Sequence, residues 1–179
     1  RRQRQMCIRD SSIEERKLLF PLAKKERREI ACKVFKLKEG DVFEGEVEFI
    51  DVSSSTKFSS KSAHNNALSH FHAIILHTNK PEETIARYCW LTDQSSPRRI
   101  FGSSWKVELD QQTIIVCSEE DVERIVPSVN VSNLPSILGY ALLTESLSKT
   151  KDCFSHNELV TQSLNQGSFL VKLPEFING

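Results

Sequence analysis

Glycine is scarce in this chain, 6 residues in 179, and the shortage removes whole classes of function. There is no G-x-G-x-x-G run and no G-x-x-x-x-G-K-[ST] loop, so the sequence offers no glycine-lined backbone to wrap a nucleotide's phosphates. Serine is abundant, yet no G-x-S-x-G elbow presents a nucleophile. Cysteine is sparse and scattered. Beyond Cys7, the residues Cys32, Cys89, Cys117 and Cys153 form no CxxC pair, and Cys32, Cys89 and Cys117 sit in apolar runs, where a thiol behaves as a small hydrophobe. A reducing compartment, cytosol or nucleus, is therefore expected. No apolar stretch approaches the roughly 20 residues with which a helix crosses a bilayer.

The N-terminus needs separate treatment. Arg1 to Ser11, RRQRQMCIRDS, reads back without a mismatch into the codons of a transposon-end adapter used in preparing sequencing libraries. These residues are expected to be an artefact, to be set aside from fold reasoning, with Met6 no true start and the chain a fragment. Without them 20 basic and 23 acidic residues remain, a net charge of −3. The charge is unevenly placed. Ser12 to Gly40 holds nine Lys/Arg and five Asp/Glu, whereas Asp41 to Gly179 holds 11 and 18, a net −7. A body of that sign argues against a general nucleic-acid clamp and suits a cationic partner such as a basic protein tail.

Ser12 to Ile30 is rich in helix formers, with Leu18, Leu19, Leu22 and Ala23 at helical spacing and Pro21 as a kink. Ser12 and Glu15 have the spacing of a capping box, and a basic helical segment is expected over residues 12–30. From Ala31 the period changes to two. In FEGEVEFID, Phe43, Val47 and Phe49 alternate with Glu44, Glu46 and Glu48, which predicts a half-buried strand with an acidic outer face. Ser53 to Ser69 reads as a surface loop. Strands are expected at FHAIILH (Phe71 to His77), TIARYCWL (Thr84 to Leu91), WKVEL (Trp105 to Leu109) and TIIVC (Thr113 to Cys117). An acidic turn at Ser118 to Arg124 and an edge segment IVPSVNV follow. LPSILGYALLTES fits a strand or a short helix, a helix is expected at Ser155 to Leu164, and SFLVKL closes the pattern as a last apolar run. Short strands at this spacing imply a mostly β domain over residues 31–179, an antiparallel barrel-like module or a sandwich, with short peripheral helices. No internal repeat is visible.

Three groups of residues could carry chemistry. His70-x-His72 on a strand would place two imidazoles on one face, as a metal site could, but no third ligand at a defined spacing accompanies them. Glu119, Glu120, Asp121 and Glu123 are most simply a solvated turn. The aromatic residues say more. Tyr88 and Trp90 lie two apart on an expected strand and Trp105 begins another, with Asp93 and Glu108 nearby in sequence. Aromatic rings beside a carboxylate can hold a methylated ammonium by cation–π attraction, while the plainer explanation makes Tyr88 and Trp90 core residues and Trp105 a cover for the barrel end.

Two longer segments, HTNKPEETIARYCWLTD and IVCSEEDVERIVPSVNVSNLPSILGYALL, resemble the bromo-adjacent homology (BAH) domain. The matching pieces are Asn79-Lys80-Pro81-Glu82-Glu83 with Ile85-Ala86-Arg87, then Trp105, then Ser118 to Asp121 with Pro127 and Ser136-Ile137-Leu138-Gly139, and last Asp152-Cys153-Phe154. They occur in the family's order over Val34 to Phe154. Where methyl-lysine-reading members carry a second aromatic after the tryptophan, this chain has Lys106 and Val107. Where some carry a tyrosine before the Ile-Ala-Arg segment, it has Thr84.

The resemblance implies an all-β, non-catalytic nuclear module that docks on histone tails, nucleosomes or partner proteins, needs no cofactor or metal, and meets nucleic acid only as part of chromatin. The candidate ligand-binding residues are Trp105, the one position that the resemblance carries over, with Tyr88 and Trp90 as substitutes and Asp93 and Glu108 as the carboxylates near them in sequence. Two other classes fit parts of the pattern. An OB- or SH3-like barrel would stack single-stranded nucleic acid on aromatics, with Arg87, Arg98, Arg99 and Lys106 for phosphates. A metal-dependent hydrolase would use His70 and His72.

Overall fold

The basic N-terminal stretch is a hairpin, not a helix. The computed structural model describes residues 12–21, 27–37, 40, 42–44, 47–51, 66–94, 96–127, 134–156, 161–163 and 168–172. In it strand β1 (Ser12–Pro21) runs antiparallel to β2 (Arg27–Lys36), which also pairs with β3 (Glu48–Asp51). Helix propensities of Glu, Lys, Arg and Leu exceed those of strand formers by only a few tenths of a kcal/mol per residue, and cross-strand pairing overrides them. The Arg16 guanidinium lies 2.7 Å from the Glu14 carboxylate and 3.1 Å from that of Glu48, and Lys36 lies 3.4 Å from Glu48. In β2, buried Cys32 and Val34 alternate with exposed Ala31 and Lys33, the period of two expected from Ala31 onward, whereas residues 27–30, expected to be helical, belong to the same strand.

The expected Phe43-to-Asp51 strand is shorter than its alternation implied. Phe43 and Glu44 lie in a bend, with Phe43 exposed and Glu44 buried, the reverse of the expected facing. Gly40, at φ +92°, precedes that bend in a backbone conformation natural only to glycine.

The chain divides into two compact units, Arg1–Ser60 and Lys61–Gly179. The division falls inside the Ser53-to-Ser69 stretch, of which residues 53–65 lie outside the described residues, as do residues 1–11. The β1–β3 sheet, including residues 31–51, goes with the first unit.

The second unit is built on a seven-stranded sheet. Its elements in chain order are β4 (Leu68–His77), α1 (Pro81–Thr92), β5 (Arg98–Phe101), β6 (Ser104–Glu108), β7 (Thr113–Cys117), a 3₁₀ turn at Glu119–Asp121, α2 (Val122–Ile125), β8 (Ser136–Thr144), α3 (Leu147–Ser155), β9 (Thr161–Ser163) and β10 (Ser168–Lys172). The spatial order is β5-β6-β7-β4-β8-β10-β9. The sheet is open, with β5 and β9 at its edges, so the module is mostly β as expected but is not closed into a barrel. The central strand β4 is parallel to β7 and antiparallel to β8. A parallel neighbour requires a long crossover, and that need explains the largest departure from the sequence reading.

TIARYCWL is not a strand but the body of α1. Pro81 occupies the first helical turn with Glu82 and Glu83, residues that suit a helix start and its positive dipole end. Thr84, Ile85, Tyr88 and Cys89 form the buried stripe at helical spacing, and Asp93 ends the helix in a left-handed conformation at φ 60°. The ambiguous LPSILGYALLTES resolves into β8. The helix expected at Ser155 to Leu164 instead ends at Ser155.

The unit contains an internal repeat that the sequence concealed. Thr78, Lys80, Thr84 and Tyr88 recur as Thr144, Ser146, Thr150 and Phe154, each pair 66 positions apart. In both places a strand ends, the threonine hydroxyl accepts the backbone N–H two residues on (Lys80 N to Thr78 and Ser146 N to Thr144, each 3.1 Å) and a helix starts. The second threonine, Thr84 or Thr150, is buried on the first helical turn, and the aromatic one turn further, Tyr88 or Phe154, packs inward. Strand, helix and hairpin thus occur twice, as β4-α1-β5-β6 and β8-α3-β9-β10, the halves meeting where β4 and β8 run antiparallel. They differ in that β7 separates β6 from β4, whereas β10 pairs directly with β8.

One core cluster joins Ile75, Cys117, Val122, Val126 and Leu138, with Ile115 and Ile125 against it. Strand alternation then leaves Ile114 and Val116 for the opposite sheet face, and α1 packs across β6 and β7.

Candidate functional site

The aromatic set does not converge. Two residues apart on a strand share a face, but two residues apart on a helix point about 200° from each other. Tyr88 is accordingly buried on α1 while Trp90 is 43% exposed on its outer side. Trp105 lies half-buried on β6 beneath the Arg99 guanidinium, 5.6 Å from the ring centroid, and its Nε1 is buried without a hydrogen-bond partner. A cation already covers that ring. Asp93 caps α1, and Glu108 is paired with Lys106 at 2.6 Å. The five candidate ligand-binding residues therefore serve a helix, its end and a hairpin.

His70 and His72 lie on β4, exposed and half-buried, beside two of the irregularities in its pairing with β8. Among the described residues no group of three or more His, Cys, Asp and Glu is placed to hold a metal.

The geometry instead builds a cleft at the carboxyl ends of the parallel strands β4 and β7, the position where open sheets with parallel strands commonly bind ligands. Its volume is about 450 Å³. Thr78, Asn79 and Lys80 line it from the corner after β4, Glu82 and Glu83 from the first turn of α1, Ser103 from the β5–β6 turn, and Ser118, Glu119 and Glu120 from the corner after β7. Four carboxylates face one ammonium, and Lys80 is bridged to Glu83 at 3.2 Å. Glu82 and Glu83 offset the positive end of the helix, which leaves Glu119 and Glu120 as uncommitted negative charge. In the second half-repeat a hydroxyl network fills the corresponding corner. Thr150 Oγ1 donates to the Asn66 carbonyl, and Thr144 Oγ1 lies 2.6 Å from Thr150 Oγ1.

A buried carboxylate braces the cleft. Asp121 Oδ2 accepts from Ser103 N at 2.9 Å, Ser104 Oγ at 2.7 Å and Ser118 Oγ at 2.9 Å, and Ser104 Oγ itself accepts from Ser118 N at 3.2 Å. The Ser104 hydrogen bond above all, with those of Ser118 and Ser103 and the charge of Arg124, holds the Asp121 carboxyl below its ordinary value against the opposing effect of burial. Of the acidic residues read as a solvated turn, this one is structural. Its signal was Ser118-x-x-Asp121, the spacing at which a serine and an acid close a turn.

Sequence reasoning also missed His77, the last residue of β4. It is 2% exposed, and neither ring nitrogen has a hydrogen-bond partner. Its register partners are Cys117 on β7 and Ser136 on β8, and the Ser136 Oγ is likewise buried without a partner. No family model, curated protein or solved structure matches this chain.

Proposed function

We propose that the second unit is a non-catalytic binding module whose cleft holds a lysine- or arginine-rich protein segment. The observation that carries this reading is the glutamate wall at the ends of β4 and β7, where Glu119 and Glu120 have no basic neighbour lining the cleft except an already paired Lys80. The second unit, Lys61 to Gly179, holds 10 Lys/Arg against 13 Asp/Glu, a net −3, which acts in the same direction by steering a cationic chain towards the site. The resemblance to the BAH domain is what supports a histone tail or nucleosome as the source of such a segment and the nucleus as the compartment. Here the docking position is the strand-end cleft and not the Trp105 surface.

Titration of labelled histone-tail peptides into the full chain tests this. Binding is expected to weaken with added salt and to fall about tenfold or more in Glu119→Lys/Glu120→Lys, since each reversal replaces an attraction of up to about 1 kcal/mol with a repulsion. Trp105→Ala should leave affinity unchanged. Absence of binding by any tail at millimolar concentration, or an affinity indifferent to the charge reversal, rules the reading out.

A further inference from the structure

The repeat supplies its own comparison for His77, because the residue 66 positions later is Leu143. The same strand end is made with an aliphatic side chain in one half and an imidazole in the other, so the fold does not require histidine there. A buried imidazole with two unpartnered nitrogens is also a costly choice for a core position. It lies one residue from the cleft, since Thr78 and Ser118, which line the opening, directly follow His77 and its register partner Cys117.

Among the described residues, the elements packed near it bring these charged and titratable groups, with Glu123 and Arg124 of α2 both exposed. β7 presents the Cys117 thiol, which donates to the Leu76 carbonyl at 3.2 Å and whose pKa burial pushes up to about 12, so it is neutral. β8 presents Ser136, which carries no charge. The turn after β7 presents Asp121, committed to its three donors, and Glu119. Lys80, at the start of α1, is exposed and paired. A proton placed on His77 therefore has Glu119 as its one uncommitted counter-charge among these groups, and Glu119 belongs to the cleft wall.

We propose that His77 is a proton-operated release device for the cleft: uncharged while a cationic segment is bound, and, once protonated, drawing Glu119 inward and expelling that segment. This rests on the reading of the cleft as a site for basic segments. Burial pushes the imidazole below its ordinary value of 6.5, and Glu119 opposes this only in part. A histidine whose folded pKa lies below its unfolded one contributes stability above the unfolded value. That contribution is lost as pH falls below 6.5 and through the folded value.

The test uses the full chain, His77→Leu, which installs the residue the repeat carries at Leu143, and His77→Gln, which keeps polarity without a titration. A rhodamine-labelled, histidine-free peptide of lysine and arginine is titrated at about pH 7.5, about pH 5.5 and about pH 4.5, and urea unfolding is followed at each, because an imidazole held below 6.5 takes up much of its proton below pH 5.5. By the lowest pH the wild-type affinity is expected to have dropped about tenfold further than that of either variant, with the acid-induced loss of stability likewise larger in the wild type. A pH dependence equally large in both variants, or a flat wild-type affinity, overturns the proposal. Absence of peptide binding at every pH overturns the cleft reading instead; the unfolding arm still judges His77, and parallel loss of stability in wild type and variants refutes the switch.

Discussion

Asp121→Ala is expected to lose about 3–5 kcal/mol of unfolding free energy. The carboxylate oxygen Oδ2 is shared by a backbone amide and two serine hydroxyls from three places in the sequence: the β5–β6 turn, the first residue of β6 and the corner after β7. Hydrogen bonds to a charged group contribute about 1.5–3 kcal/mol each, and a buried donor left unpaired costs about 1–3 kcal/mol. The hydroxyls can rotate to other acceptors, but the Ser103 amide cannot. Asp121→Asn keeps an acceptor oxygen and should lose about half as much. Because the folded carboxyl lies below its ordinary value of 3.8, its extra stabilisation is present above that value and fades as pH falls through the folded one. The lead of the wild type over Asp121→Asn should therefore narrow between about pH 5 and about pH 3 in urea titrations. A lead that holds constant across that range removes the charge from the account.

Gly102 extends the same prediction. It stands at φ +49°, and a Cβ there would overlap the Asp121 carboxylate. Gly102→Ala should be destabilising in the wild type and cost less in an Asp121→Ala background, since the group it strikes is gone, a coupling readable in a double-mutant cycle. Additive losses would place the strain in the backbone alone.

How much of this was legible in the sequence depends on the period of each segment. FHAIILH, WKVEL and TIIVC became β4, β6 and β7 because alternation and β-branched runs are local signals that the sheet merely uses. The β1–β2 hairpin was illegible because leucine, lysine and glutamate carry a helical preference that only a partner strand overturns, and the partner is not local. The acidic cleft was hidden for a topological reason. The pair Glu82 and Glu83 is far from the pair Glu119 and Glu120 in the chain, and the two are brought together by the parallel pairing of β4 with β7, which a reading as an antiparallel barrel cannot contain. His77 was hidden by its apolar surroundings, which make it look like the end of a strand, which it also is. The 66-residue repeat rests on hydroxyl and aromatic positions that no hydrophobicity pattern registers; it becomes visible once the two strand-to-helix corners are seen to make the same hydrogen bonds.

The sharpest test of strand against helix is a pair of truncations two residues apart. In a strand, Tyr88 and Trp90 would share a face and respond alike. In α1 they take opposite sides, Tyr88 7% exposed and Trp90 43% exposed. Tyr88→Ala is accordingly expected to cost about 3–5 kcal/mol, the transfer of a large ring out of the interior plus the cavity it leaves. Trp90→Ala should stay within about 0.5 kcal/mol, as an exposed substitution away from any network. Phe154→Ala, the repeat's counterpart of the tyrosine and 7% exposed as well, should resemble Tyr88→Ala, because α3 docks through it as α1 docks through Tyr88. Equal losses at positions 88 and 90, measured by chemical unfolding, would return the segment to a strand and remove the crossover that makes β4 parallel to β7. The cleft would go with it, since the corner that opens it exists only where a strand hands over to a helix.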